Sequence, residues 1–208
     1  RLYNSEPGIR LAQEVLLGIG GMRALTAMGI EPTVCHMNEG HSAFSNVERL
    51  AQIMTQRKLD LPTAMQIVAR SSVFTTHTPV AAGHDEFPTE LVRPYISALA
   101  KQMEITEDEI LSWGRTGNAH PQGPFSMFIL GLRLSQYCNG VSRLHGAVSR
   151  RIFSELYPRW PEHEVPVAHI TNGVHVPSWD SPWADDIWTE SCGKERWRGS
   201  LETHAEAI

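Results

Sequence analysis

Lysine is nearly absent from this chain of 208 residues: Lys58, Lys101 and Lys194 stand against fifteen arginines. Chemistry that relies on a buried lysine amine therefore has three candidates. The basic excess of a general nucleic-acid binder is also missing, because 18 Lys and Arg face 23 Asp and Glu for a formal charge of -5. No nucleic-acid partner is expected. Apolar runs are short, Val15-Leu16-Leu17 and Met127-Phe128-Ile129-Leu130 among the longest, far below the roughly 20 residues that span a bilayer, so no membrane segment is expected. Cysteine is scarce too. Cys35, Cys138 and Cys192 are odd in number and lack CxxC spacing, which argues against a disulfide framework or zinc ribbon and for a reducing, cytoplasmic setting. The first residue is Arg1, no charged-then-apolar leader precedes the body, and residues 202–208 read as an unfinished helix. A piece of a longer polypeptide is expected.

What is present is the composition of an ordinary globular α/β domain, 41% hydrophobic and 20% charged. From Ile9 to Met28 apolar residues recur with a period near 3.6 and Gly29 follows, which predicts a long helix. A β-prone run, Thr33 to Asn38, comes next, then helices over about 42–58 and from Leu61-Pro62 onward, and a second strand at Ser72–Thr76. His77 to Pro88 reads as a polar loop. Helices around 90–103, 108–113 and 126–134 are separated by a polar stretch near 117–124. A third strand, Tyr137–Val141, leads into a helix over about 144–156, and a fourth strand is predicted at Val165–Ile170. Short strands separated by helices predict a parallel sheet flanked by helices. Ligands of such sheets sit outside the carboxyl ends of the strands.

That rule gathers the polar residues. Asn38-Glu39-Gly40-His41, His77-Thr78, Asn139-Gly140 with Ser142, and Thr171-Asn172-Gly173 each stand at or just past the carboxyl end of a strand. Hydroxyl, amide, imidazole and carboxylate groups on one rim suit a neutral polyhydroxylated ligand such as a sugar. Competing motifs fare worse. Gly18-Ile19-Gly20-Gly21 lies inside a helical pattern with no following Lys-Ser/Thr, so it reads as close helix packing and not as a phosphate loop. His36, Glu39 and His41 offer metal-ligand chemistry, but a glycine turn separates them and the spacing is not that of HExxH. His77, with His84-Asp85-Glu86 downstream, is either a base oriented by a carboxylate or a substrate-binding histidine; binding is the favoured reading, and no GxSxG elbow supports nucleophilic hydrolysis.

Five stretches taken together resemble the α-glucan phosphorylases, the enzymes of glycogen, starch and maltodextrin: QEVLLGIGGMRAL (Gln13 to Leu25), HMNEGHSAF (His36 to Phe44), VFTTHTPVAAGHDEFP (Val73 to Pro88), NGVSRLHGAVSR (Asn139 to Arg150) and ITNGVHVPSW (Ile170 to Trp179). The wording is similar to the bacterial branch; the animal enzymes have aspartate at the position of Glu39. The resemblance implies part of the N-terminal Rossmann-like lobe of a two-lobed GT-B glycosyltransferase, with residues 1–175 in that lobe and 176–208 as a connector toward a C-terminal cofactor lobe. It implies reversible phosphorolysis with retention, in which orthophosphate attacks a terminal α-1,4-linked glucose and glucose 1-phosphate leaves. The implied cofactor is pyridoxal phosphate, held by the other lobe, since none of the three lysines lies in a matching motif.

Carried over by residue, His77 matches the histidine beside the glucose, with its carbonyl and imidazole near the cleaved bond. Asn172 matches an asparagine that hydrogen-bonds the sugar. Glu39, His41 and Asp85 match polar residues of the pocket behind it, Asp85 being a shorter acid where animal enzymes use glutamate, and Thr78, Asn139 and Val141 fall beside these. The implied partners are α-1,4-glucan and orthophosphate or glucose 1-phosphate, and the resemblance leaves a homodimer open. Two alternatives stand beside this reading: a nucleotide-sugar glycosyltransferase of the same fold, and a non-catalytic glucan-binding module.

Overall fold

The computed structural model describes residues 4–80, 83–116 and 123–196. The polar stretch at 117–122 and the helix expected at 202–208 lie outside the described residues. The chain divides into two compact units, Arg1–Thr171 and Asn172–Ile208.

The first unit opens with α1 (Pro7–Val15), continues through a π-helical segment, Leu16–Gly20, and then α2 (Gly21–Ala27). Glu6 starts it, its carboxylate accepting from the N–H groups of Gly8 and Ile9, with Pro7 supplying a preset φ. The apolar stripe turns Leu11, Ile19 and Met22 inward, and Gly29, at φ +70, ends the helix. Sequence periodicity does not show the π segment, because the continuous apolar run Val15-Leu16-Leu17 at its start leaves the phase of the stripe undetermined there. Gly18 explains itself on packing grounds: a Cβ there would stand 2.8 Å from both Phe44 Cβ and Ser45 N. Within the glycine run this close approach belongs to Gly18: a Cβ on Gly20 would meet Leu16 of its own helix, and one on Gly21 would find no described atom within 4 Å.

That helix is α3 (Phe44–Arg57), reached through β1 (Cys35–Asn38) and a short 3-10 turn, Gly40–Ser42. It is followed by α4 (Leu61–Arg70), β2 (Ser72–Thr75) and a two-residue strand β3 (Glu86–Phe87). Then come α5 (Thr89–Met103), α6 (Glu107–Trp113), β4 (Phe125–Ser126), α7 (Met127–Arg133), β5 (Tyr137–Gly140), α8 (Arg143–Phe153) and β6 (Ala168–His169). The main sheet has the order β1-β2-β5-β6 and every pairing is parallel. Phe44, Val47, Leu50, Phe74, Met127 and Phe128 form the buried centre. Phe74 meets Phe128 edge-on at 4.8 Å, and Phe128 stacks on Phe153 at 4.4 Å.

Two elements differ from the sequence reading. The loop after β2 is not wholly irregular, since β3 pairs antiparallel with β4; two residues are too few to show alternation. The fourth strand covers Ala168 and His169, not 165–170. Pro166 has no N–H, and the Val167 N–H turns back to the Val165 carbonyl at 2.7 Å, so the ladder cannot begin earlier, although Val165 and Val167 are still buried.

The second unit carries α9 (Val176–Trp179) and α10 (Pro182–Cys192). Ser181 caps α10 by accepting from Ala184 N–H at 3.2 Å. Arg196 pairs with Asp180 at 2.8 Å and also with Asp185.

Because Gly18 faces backbone and the stem of Phe44, neither of which can swing away, Gly18→Ala should destabilise the protein by about 1 to 3 kcal/mol through overpacking. Urea denaturation of both forms measures this, and an unchanged midpoint would show that the two helices are not in contact there.

Candidate functional site

Parallel pairing brings the carboxyl ends of all four strands to one edge of the sheet. At the end of β1 the backbone of Glu39 is left-handed, φ 68, a conformation a non-glycine residue holds only when its surroundings enforce it. They do. The Glu39 N–H donates to the Thr75 carbonyl at 2.9 Å, and one carboxylate oxygen, Oε1, accepts from the Thr76 hydroxyl at 3.0 Å, the Thr78 N–H at 2.9 Å and the His77 N–H. On the other side the Thr76 N–H donates to the Asn139 carbonyl at 3.0 Å. The backbone of the turn after β2 is thus held from β1 and β5 at once, while the His77 side chain remains exposed.

A second cluster joins α1 to the same edge. The Arg10 guanidinium pairs with Asp85 at 2.6 Å and lies 2.9 Å from Glu14. His41 Nδ1 is 2.7 Å from Arg10 Nη2, 3.2 Å from Asp85 and 3.8 Å from Glu14. Burial pushes the Glu14 carboxyl, 1% exposed, up to about 7. Hydrogen bonding to Asp85 and Glu14 raises His41 to about 9 against the effect of its own burial. Burial pushes Asp85 upward, but hydrogen bonds with His41 and Arg10 outweigh it and hold this carboxyl well below the usual carboxylate range. The approach of Arg10 to Nδ1 suits an unprotonated ring and the two carboxylates suit a protonated one. With one arginine against two carboxyls, one further proton neutralises the quartet, and His41 and Glu14 compete for it. Glu14, His41 and Asp85 also have the spacing of metal ligands, within 4.8 Å of one another, but the Arg10 guanidinium already supplies the cation among them.

The expected site residues therefore divide by surroundings. Glu39, His77 and Thr78 come together in one turn, and His41 joins Asp85 in the quartet. Asn139 is buried, accepting from Thr75 Oγ1 at 3.1 Å and donating from Nδ2 to the Gly140 carbonyl at 3.1 Å, and Thr75 in turn meets His36 Nε2 at 2.8 Å. Val141 donates its N–H to His145 Nδ1 at 3.2 Å. Asn172 is exposed at the start of the second unit. His84, next to the Asp85 carboxylate of the acid–base alternative, lies against Phe128, ring centroids 4.0 Å apart, and its burial lowers its basicity. The three residues considered for a metal are separated, His36 facing Thr75, Glu39 the turn, and His41 the quartet. Arg10 and Glu14 went unpredicted. Their i, i+4 spacing was visible, but only the fold brings His41 and Asp85 beside them.

Residues that hold a pyridoxal ring need a lysine amine within a pocket. Lys58, Lys101 and Lys194 are all exposed, and the described residues do not fit that cofactor. No helix among the described residues is long and apolar enough to cross a membrane.

A helix-flanked, all-parallel sheet with its polar groups at the carboxyl edge is a Rossmann-like lobe, compatible with one half of a GT-B glycosyltransferase. No family model matches the chain. Individual relatives do: the chain is homologous to one segment of the glycogen and maltodextrin phosphorylases. A glycogen phosphorylase of Mycobacterium tuberculosis is 41% identical over 95% of this chain and 24% of its own length. A maltodextrin phosphorylase of Thermococcus litoralis is 46% identical over 86% of this chain and 20% of its own, and a glycogen phosphorylase of Aquifex aeolicus is 31% identical over 86% and 25%. The chain spans about a quarter of the length of these curated relatives.

The quartet sets a pH dependence. A folded-state pKa raised at His41 from 6.5 to about 9 gives stability that is complete below 6.5 and lost as pH rises through 9. Glu14, raised from 4.5 to about 7, acts in the same sense over its own lower range. The depressed Asp85 works oppositely, its contribution being lost as pH falls below 3.8. Thermal unfolding should therefore show a falling midpoint from about pH 6.5 to 9 that flattens in His41→Gln. An equal slope in the variant would exclude His41 as its source.

Proposed function

We propose that this chain is the sugar-side segment of an α-glucan phosphorylase, which in its complete form uses orthophosphate to cleave terminal α-1,4-glucosidic bonds and releases glucose 1-phosphate with retention. The observation that carries the reading is the Glu39 clamp on the His77 turn, inside two of the stretches that resemble the phosphorylases. In this reading residues 1–175 belong to the N-terminal lobe, residues 176–208 lead toward the other lobe, and the complete enzyme is cytoplasmic. Pyridoxal phosphate, held outside this chain, would supply proton-relay chemistry through its phosphate.

The residues of this chain bind and orient. A carboxylate that gathers two N–H groups and a hydroxyl fixes the direction of the peptide groups around His77. A carbonyl so fixed can face positive charge that develops on a sugar ring, and a preorganised dipole needs no reorientation as the charge appears. The exposed imidazole is free to hydrogen-bond a sugar hydroxyl, and the resemblance assigns a sugar contact to Asn172 as well. Each such bond is worth on the order of 1 kcal/mol, so selectivity for glucose requires several.

The test uses the complete polypeptide that contains this segment, with glucose 1-phosphate formation from glucan as the readout. His77→Asn should retain far more turnover than His77→Ala, since asparagine keeps a donor and an acceptor. Glu39→Ala, which frees the turn, should lower kcat by about 10²-fold, the scale of an ångström of misplacement. Equal losses of about 10²- to 10⁴-fold in both His77 variants would mean general-base chemistry, and absence of glucose 1-phosphate from the unaltered enzyme would remove the assignment altogether.

A further inference from the structure

The opposite edge of the sheet carries a second feature. Before β1 and β2 lies a cleft of about 320 Å³, with Thr33 and Ser71 on its sheet side and Arg49, Gln56 and Arg57 on its α3 side. Arg49 is 6% exposed. Its hydrogen bonds among the described residues run to neutral oxygens, Asn46 Oδ1 at 3.1 Å, Ser72 Oγ at 2.8 Å and Ser71 Oγ at 2.6 Å, and the Cys35 thiol is the titratable group that it feels. No carboxylate pairs with Arg49 or Arg57 among the described residues. A guanidinium has five N–H groups, and the three bonds leave two without an acceptor among the described residues. A buried cation is ordinarily paired, because taking it from water is costly. The nearby acids do not fill the role. Glu48 is engaged by Arg23 at 3.0 Å and by Gln52 at 3.0 Å, and Glu31, the one carboxylate on the cleft wall, is exposed.

We propose that this cleft binds a small oxyanion, a phosphate group in the first instance, between the buried fork of Arg49 and the exposed Arg57. Arg49 is preorganised for it: Ser71, Ser72 and Asn46 fix the guanidinium plane, so little side-chain freedom remains to be lost on binding. Arg57 closes the site from the last turn of α3, and the hydroxyl of Thr33 and the amide of Gln56 add neutral donors. The space exceeds that of a bare anion, which fits a phosphate carried on a small organic molecule. The site lies at the amino-terminal edge of the strands, on the far side of the sheet from the His77 turn, and so is separate from sugar binding. Its failure or success leaves the phosphorylase reading untouched, because neither glucan nor turnover enters the measurement.

The 208-residue chain is titrated with inorganic phosphate against sodium chloride of matched ionic strength, following the thermal midpoint and the ³¹P line width. A ligand that binds only the folded state raises the midpoint as its concentration passes Kd. The expected result is a saturable rise with phosphate that chloride does not reproduce, with a half-saturating concentration about tenfold higher in Arg57→Gln, the loss typical of one charge-assisted hydrogen bond. Arg57 is exposed, so this variant should keep the unliganded midpoint of the parent. Arg49→Lys, which retains the charge without the fork, should also weaken phosphate binding. A response equal to that of chloride, or an unchanged half-saturation in Arg57→Gln, would overturn the proposal and leave Arg49 as a structural pin between α3 and the start of β2.

Discussion

One oxygen atom, Oε1 of Glu39, collects two backbone N–H groups and a hydroxyl from the turn after β2. The arrangement requires parallel strands in adjacent positions, because only then do the ends of β1 and β2 stand side by side. It also requires the left-handed backbone at Glu39, which turns the chain out of the sheet and aims the carboxylate sideways. Glutamate at such a position is unfavourable in isolation, and three accepted bonds offset that cost. The exposed imidazole of His77 is in this way mounted on one of the most constrained peptide segments of the sheet edge.

Much of this edge was legible in the sequence. Small and polar residues after each β-prone run marked the strand ends, and parallel pairing follows from helices between strands. Phe44, Val47, Leu50, Phe74 and Phe128 could be assigned to the interior from apolar spacing alone. What stayed hidden depends on contacts distant along the chain or too short to repeat. The pairing of β3 with β4 covers two residues, below any detectable alternation. The cross-sheet bond from Thr75 to the Asn139 amide joins residues 64 apart in the chain, and no spacing in the sequence shows it. Pro166 was in plain view, and its missing N–H should have shortened the fourth strand.

Electrostatic sites were the least readable. Arg10 and Glu14 lie on one face of a helix, a common and weak surface motif, and the sequence places His41 and Asp85 far from both. Burial converts the four into a unit whose charge balance rests on a single proton. Arg49 is the converse case. An arginine in the middle of an amphipathic helix looks like a solvated residue, whereas the fold surrounds it with hydroxyls and an amide.

The π segment at Leu16–Gly20 bears on both clusters. An i to i+5 turn accommodates one residue more than an α turn would, and one residue of an α-helix corresponds to a rotation of about 100°. Residues on the two sides of the segment are therefore phased independently: Arg10 and Glu14 address the strand ends, while Arg23 and Thr26 address Glu48 and Gln52 of α3. A chain shorter by one residue here would keep its composition and both amphipathic faces almost intact, yet it could satisfy only one of those faces at a time. The bulge acts as a phase shifter between the charged half of the helix and its packing half.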